Sequence, residues 1–292
     1  MNLLSITNLV KGRQRAQGFS LKIHSFSIRA GEHVAIVGPS GCGKSTTLDL
    51  IGMVLRPDTC DGFTYAFGAT PVDVASLWNR DALDDMAFAR RQHVGYVLQT
   101  GELLPFLTVL ENVELTASVG KRKSAHIDVQ ELLKTLEISH LKDALPDTLS
   151  IGERQRAAIA RALASSPEIL LADEPTAALD PTLSRIVMRL FLQVAEQANT
   201  AVIMVSHDVS LVHEFHFRCV PVTVQQCGDH SVSFLDDRLP EISKRDEGNV
   251  PKSTLLAEHL NTDMKLNQSE RDNNIAPPKT DSHPLLTYTG WL

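Results

Sequence analysis

Several protein classes are excluded by what this 292-residue sequence has little of. It has four cysteines, Cys42, Cys60, Cys219 and Cys227, and no CxxC pair among them. A chain of this size needs no disulfide staples, so reduced thiols in a cytosolic protein are expected. It has no surplus of basic residues. The net charge of -7 excludes a chain-wide electrostatic footprint for nucleic acid, which needs a basic face to meet phosphates. It has no run close to the roughly 20 apolar residues of a membrane-spanning helix. Met1-Asn2-Leu3-Leu4 lacks the charged start and following apolar stretch of a secretory signal. No internal repeat is evident. Any service to a membrane is therefore expected to run through a partner chain.

What the sequence does have is 43% hydrophobic residues, enough for a sizeable core. Its length suits one main domain plus an appendage. The domain is expected over residues 1–235. From about Asp236 the chain turns polar, with Lys244-Arg245-Asp246-Glu247 and Pro277-Pro278, and residues 236–292 are predicted to form a largely disordered extension. Short apolar runs of buried-strand type stand at His33–Val37, Val94–Leu98, Ile169–Ala172 and Ala201–Val205. Between them lie helix-spaced stretches at Thr46–Met53, Asp81–Arg91, Thr108–Thr116, Asp128–Glu137 and Gly152–Ser165, the last stopped by Pro167. Alternating strands and helices predict an α/β fold with a largely parallel sheet.

Three constellations carry chemistry. Gly38-Pro39-Ser40-Gly41-Cys42-Gly43-Lys44-Ser45-Thr46 fits GxxxxGK[ST] between a strand and a helix. Glycines let the loop turn several N–H groups toward one phosphate chain, and the helix start adds its positive dipole end. Lys44 should reach the β- and γ-phosphates, and the Ser45 hydroxyl should ligate Mg²⁺. Next, the apolar strand Ile169-Leu170-Leu171-Ala172 runs into Asp173-Glu174. Asp173 is positioned to hold the Mg²⁺ shell, and Glu174 to orient or deprotonate an attacking water. Third, Ser150 and Gly152 open a helix within Leu149-Ser150-Ile151-Gly152-Glu153-Arg154-Gln155, a second place suited to phosphate. One nucleotide needs one cradle; a second makes sense if it serves a neighbouring copy.

With these motifs in order, residues 3 to 235 resemble the ATP-binding subunits of ABC transporters. The resemblance rests on the P-loop, Gln99 after a strand, Leu149–Gln155 as the signature, Asp173-Glu174, Ala178-Leu179-Asp180 as the D-loop, and His207 after the last strand. It implies a P-loop NTPase core of the ABC ATPase type, with a helical signature subdomain near residues 100–165 and an antiparallel β portion. It implies ATP and Mg²⁺, and a head-to-tail homodimer sandwiching two ATPs between one copy's P-loop and the other's Ser150 and Gly152. Gln99 would sense Mg²⁺ and the attacking water, His207 would contact the γ-phosphate, and Asp180 would bridge the dimer. An integral membrane permease subunit is the implied partner, which would hold the chain at the inner face of the cell membrane. Leu103-Leu104-Pro105 followed by Leu107–Val113 looks like the lipoprotein-release, macrolide-export and cell-division ATPases. Some of that subgroup transmit force without carrying a substrate, so a mechanotransmission role on the same architecture stands as an alternative. A soluble ABC ATPase acting on ribosomes or DNA is a further one; the paired domains and long coiled coil of those types are missing.

Some residues depart from the pattern or stand outside it. Ile151 occupies the usual first signature glycine and is expected to slow hydrolysis. Lys11–Gln17 has no aromatic to stack on adenine, and Phe19 is the nearest candidate, equally readable as a core residue. His213, His216 and Cys219 are spaced as if to share a helical face, but no fourth metal ligand is evident, and Phe215 and Phe217 suggest a packed element. Cys42 reads as a small loop residue with no redox role. Lys121-Arg122-Lys123 reads as a solvated loop and the closing Leu285–Leu292 as a frayed end.

Overall fold

The computed structural model describes residues 2–13, 18–68, 71–99, 101–119, 128–227 and 230–238, all within one compact unit, Met1–Glu241. The expectations for Lys121-Arg122-Lys123, for residues 239–292 of the polar extension and for Leu285–Leu292 lie outside the described residues.

A 10-stranded sheet organises the chain. Its strands are β1 (Asn2–Arg13), β2 (Phe19–Arg29), β3 (His33–Val37), β4 (Thr59–Tyr65), β5 (Val72–Asp73), β6 (Val94–Val97), β7 (Ile169–Asp173), β8 (Ala201–Ser206), β9 (Arg218–Cys227) and β10 (His230–Asp236), in the order β5-β4-β1-β2-β10-β9-β3-β8-β7-β6. The sheet has two characters. From β9 through β3, β8 and β7 to β6 all neighbours are parallel. On the other side β1 pairs antiparallel with β2 and β4, and β10 with β9, while β10 and β2 run parallel. The parallel sheet read from strand–helix alternation is therefore half of the structure. The rest is built from strands whose exposed and half-buried positions dilute the apolar signal, as in the pattern of β4.

The parallel strands are legible because they are covered on both faces. All six residues of β8 are buried, which makes such strands continuous apolar runs. Helices α1 (Lys44–Ile51), α2 (Val74–Asn79), α3 (Leu83–His93), α4 (Val109–Val119), α5 (Val129–Thr135), α6 (Ile151–Leu163), α7 (Pro181–Gln197) and α8 (Val209–Glu214) join them. The first of these stops two residues short of the sequence expectation, because Gly52 caps it and Met53 turns to φ 57. Two apolar clusters form on opposite sides of the parallel strands. Leu48 and Ile51 of α1 join Phe63 and Tyr65 of β4 in one; Val113, Leu133, Ile159 and Phe191 of α4, α5, α6 and α7 join in the other. Inner-strand residues split between them by parity: Leu171 and Ile203 face the first, Leu170, Val202 and Met204 the second. No helix among the described residues is long and apolar enough to cross a membrane.

His213, His216 and Cys219 do not share a helical face. The eighth helix ends at Glu214, His216 takes a left-handed turn at φ 58, and Cys219 lies on β9. Among the described residues no cluster of His, Cys, Asp or Glu could hold a metal by itself.

Candidate nucleotide-binding site

Parallel pairing brings several strand ends to one edge. Val37 is opposite Ser206, Asp173 opposite Val205, and Val97 opposite Ala172. The residues that leave these ends are Gly38, Glu174 and His207, with Gln99 two positions beyond β6. Open α/β sheets bind ligands outside the carboxyl ends of their strands, and here the sequence has placed its glycine loop, acids and histidine at that edge.

The glycine loop runs Gly38–Gly43 into α1. Its cap, Gly43, sits at φ 92 with no side-chain hydrogen bond to the helix start, a conformation that costs only glycine little. The first hydrogen bond of α1 runs from Thr47 N–H to the Gly43 carbonyl. The N–H groups of Lys44 and Ser45 precede this bond at the helix start, where the helix dipole favours an anion. Lys44 is buried, and its Nζ donates to the carbonyls of Gly38 at 2.9 Å and Pro39 at 3.1 Å. An ammonium has three donors, so these bonds hold the charge over the loop without exhausting it. Pro39, Ser40, Gly41 and Ser45 are exposed. Cys42 points inward, 3% exposed, with burial pushing its thiol up; that suits a space-filling role and leaves little thiolate for chemistry. Phe19 touches the loop directly: a Cβ on Gly43 would lie 2.8 Å from its Cζ. Its half-buried ring also packs on the first core cluster, so both sequence readings of Phe19 retain a structural basis.

The acids sit beside the loop. Ser45 Oγ donates to Asp173 Oδ1 at 3.2 Å. Burial pushes the Asp173 carboxyl up, the Ser45 hydrogen bond opposes this, and the nearby charges of Glu174 and Asp49 add to the rise. A hydroxyl and a carboxylate facing each other, with surplus negative charge around them, are hard oxygen donors that fit a divalent cation such as magnesium. Glu174 adopts φ 45 and donates its N–H to the Val205 carbonyl at 3.1 Å. Its Oε2 lies 3.2 Å from His207 Nδ1. A left-handed non-glycine residue is uncommon and costs of order 1 kcal/mol or more; the β7–β8 ladder holds it there, aiming the carboxylate at the histidine.

Ser150, Gly152 and Asp180 are placed differently. Ser150 caps α6 and Asp180 caps α7, and their side-chain hydrogen bonds go to their own helix starts. Asp180 Oδ1 accepts from Thr182 and Leu183 N–H. Gly152 sits close against α7, where a Cβ would lie 2.6 Å from Leu183 Cδ2. Ile151 points outward at 60% exposure. In the single chain these residues lie at the starts of α6 and α7, which approach each other at Gly152 and Leu183.

Two residues to which the sequence reading gave no individual role hold the segment after Gln99. Arg161 of α6 donates from Nη1 to the Glu102 carbonyl at 2.6 Å and from Nη2 to the Gly101 carbonyl at 3.4 Å. Asn112, fully buried, accepts from Leu104 N–H and shares its two amide hydrogens among the carbonyls of Leu104, Leu107 and Thr108. Asn112 falls within the Leu107–Val113 stretch that carries the subgroup resemblance, which gave neither residue a role of its own. Gln99 itself is exposed at the strand edge.

Comparison with known proteins agrees with this geometry. Residues 21–177, more than half of the chain, match the ABC transporter family, and the chain belongs to that family. It is an ATP-binding cassette, and the class is one of ATPases. Over 198 residues it is 41% identical to the macrolide export ATP-binding/permease protein MacB of Rhodopirellula baltica, covering 66% of this chain and 28% of that protein. It is 36% identical over 203 residues to a putative ABC transporter ATP-binding protein, the MG065 homolog of Mycoplasma pneumoniae, covering 70% of this chain and 41% of that one. The chain thus spans well under half the length of these relatives. Among solved structures it resembles the dimeric bacterial ABC transporter cassette MJ0796, at 31% identity and a TM-score of 0.63 over 80% of this chain and 94% of that one. A post-hydrolysis dimer of the same cassette bound to ADP and Pi matches with a TM-score of 0.61, at 32% identity, over 75% of this chain and 93% of that one.

Proposed function

We propose that this chain binds and hydrolyses Mg²⁺-ATP as one half of a head-to-tail homodimer and drives an integral membrane permease, which holds it at the inner face of the cell membrane. The observation that carries the reading is the single edge where the uncapped start of α1, the Ser45–Asp173 pair and the Glu174–His207 pair meet. The likeness to a dimeric cassette and to an ATP-binding/permease protein supports the dimer and the membrane partner.

In this reading the N–H groups of Gly41–Thr46 and the Lys44 ammonium cradle the β- and γ-phosphates. Ser45 and Asp173, together with Gln99, would hold magnesium, which would offset the charge of the nucleotide's phosphates. Glu174 accepts a hydrogen bond from the attacking water and orients it on the γ-phosphorus. His207 keeps the Glu174 carboxylate in place and lies within reach of a γ-phosphate oxygen. Ser150 and Gly152 meet the γ-phosphate held by the other copy, with Asp180 at the join. Phe19, already against Gly43, is the ring available to the adenine. Binding then closes the dimer, and product release reopens it. Movement passes to the permease through the segment after Gln99 that Arg161 and Asn112 hold.

Glu174→Gln tests the centre of this scheme. Nucleotide should still bind, turnover should fall by roughly 10²–10⁴-fold, and ATP should accumulate a stable dimer on gel filtration. Unchanged hydrolysis would remove Glu174 from its role.

A further inference from the structure

The start of α6 is already occupied by a charge of its own. Ser150 Oγ donates its proton to Glu153 Oε2 at 2.6 Å, and the same oxygen accepts the Ser150 N–H at 2.9 Å. Ser150 Oγ in turn accepts the Glu153 N–H at 3.4 Å. Together these bonds close a capping box in which both donors of Ser150 are committed.

We infer that Glu153 is a positioning residue that latches the Ser150 hydroxyl and opposes closure of the ATP-bound dimer until that hydroxyl is released. This rests on the shared-site reading above. A serine hydroxyl carries one proton. Ser150 can donate to a phosphate oxygen of the other copy's nucleotide only by giving up its bond to Glu153. The carboxylate itself stands at the helix start where that phosphate must arrive, so like charges meet there. The Ser150 side-chain bond, then its backbone bond, hold the Glu153 carboxyl below the usual carboxylate range, so at neutral pH the latch is charged. Arg156 is the positively charged neighbour. Arg156 is itself drawn to Glu137, at 3.6 Å. The start of α1 has no such occupant, because its cap is a glycine.

Glu153→Gln separates the latch from the cap. The amide oxygen can accept the same two bonds and keep the capping box, while the charge is gone. The test compares ATP-dependent dimerisation by analytical ultracentrifugation in a Glu174→Gln parent, with and without Glu153→Gln, and repeats the pair in a Ser150→Ala background. Glu153→Gln is expected to tighten the dimer by about tenfold, because a neutral amide oxygen holds the Ser150 hydroxyl less strongly than a carboxylate does. Most of that gain should disappear with Ser150→Ala. If the parent dimerises and Glu153→Gln dimerises no more tightly, the latch is overturned and the shared-site reading stands. A gain that persists undiminished with Ser150→Ala overturns action through the hydroxyl. Absence of an ATP-dependent dimer in every chain overturns both.

Discussion

The starts of α1 and α6 are both read from the sequence as phosphate-facing, yet they are built in opposite ways. Helix α1 begins at a left-handed glycine with no side chain to satisfy its first N–H groups. Helix α6 begins with a serine and a glutamate that satisfy each other. An open helix start has its donors free for a ligand and gives up the roughly 1 kcal/mol a cap supplies. A capped one is stable alone and must be rearranged before it can bind. The first is suited to holding a nucleotide in the single chain, the second to engaging only when a partner brings the phosphate.

Three substitutions press on that contrast. The largest effect belongs to Lys44→Ala at the open start. Loss of a buried ammonium directed at phosphates should weaken ATP binding by on the order of a hundredfold, read by isothermal calorimetry on the single chain. At the capped start, Ser150→Ala should lower stability by about 1 kcal/mol, seen as a lower thermal midpoint, while ATP affinity of the single chain stays as it was. A matching fall in that affinity would mean that α6 serves its own nucleotide and would collapse the distinction. Smallest is Ile151→Gly. Ile151 is exposed beside the cap and meets only what approaches from outside, so the change should raise steady-state turnover a few-fold by letting phosphate closer to the helix N–H groups. An unchanged rate would show that the isoleucine stands clear of the shared site.

The parts legible in the sequence were those whose physics is local. Gly38–Thr46 declares itself because a phosphate loop needs glycines at fixed spacing, and Asp173-Glu174 because a doubly covered strand has to end in something polar to leave the core. The antiparallel strands were less visible. In β4, Thr59, Asp61 and Thr64 are exposed and break the apolar run. The α7 helix went unread although Asp180-Pro181 opens it with a side-chain cap and a proline at the first turn; the D-loop resemblance had claimed Asp180 first. Arg161 lay beyond reach for another reason. It grips backbone carbonyls some sixty positions away, and carbonyls leave no trace in residue identity. The capping of Ser150 by Glu153 was visible as S-x-x-E, but its consequence for a shared phosphate needed the hydroxyl's direction.

The hydrogen bonds of Asn112 have a consequence for how the chain would be cut. Pro105 and Phe106 stand out in solvent, Phe106 at 74% exposure, and by exposure alone the peptide after Phe106 looks like an early target for chymotrypsin. Proteases, however, need a stretch of backbone they can draw out, not merely a visible side chain. With Leu104, Leu107 and Thr108 tied to one buried amide, that stretch is not available, and limited digestion should pass over this loop until the helical layer itself comes apart.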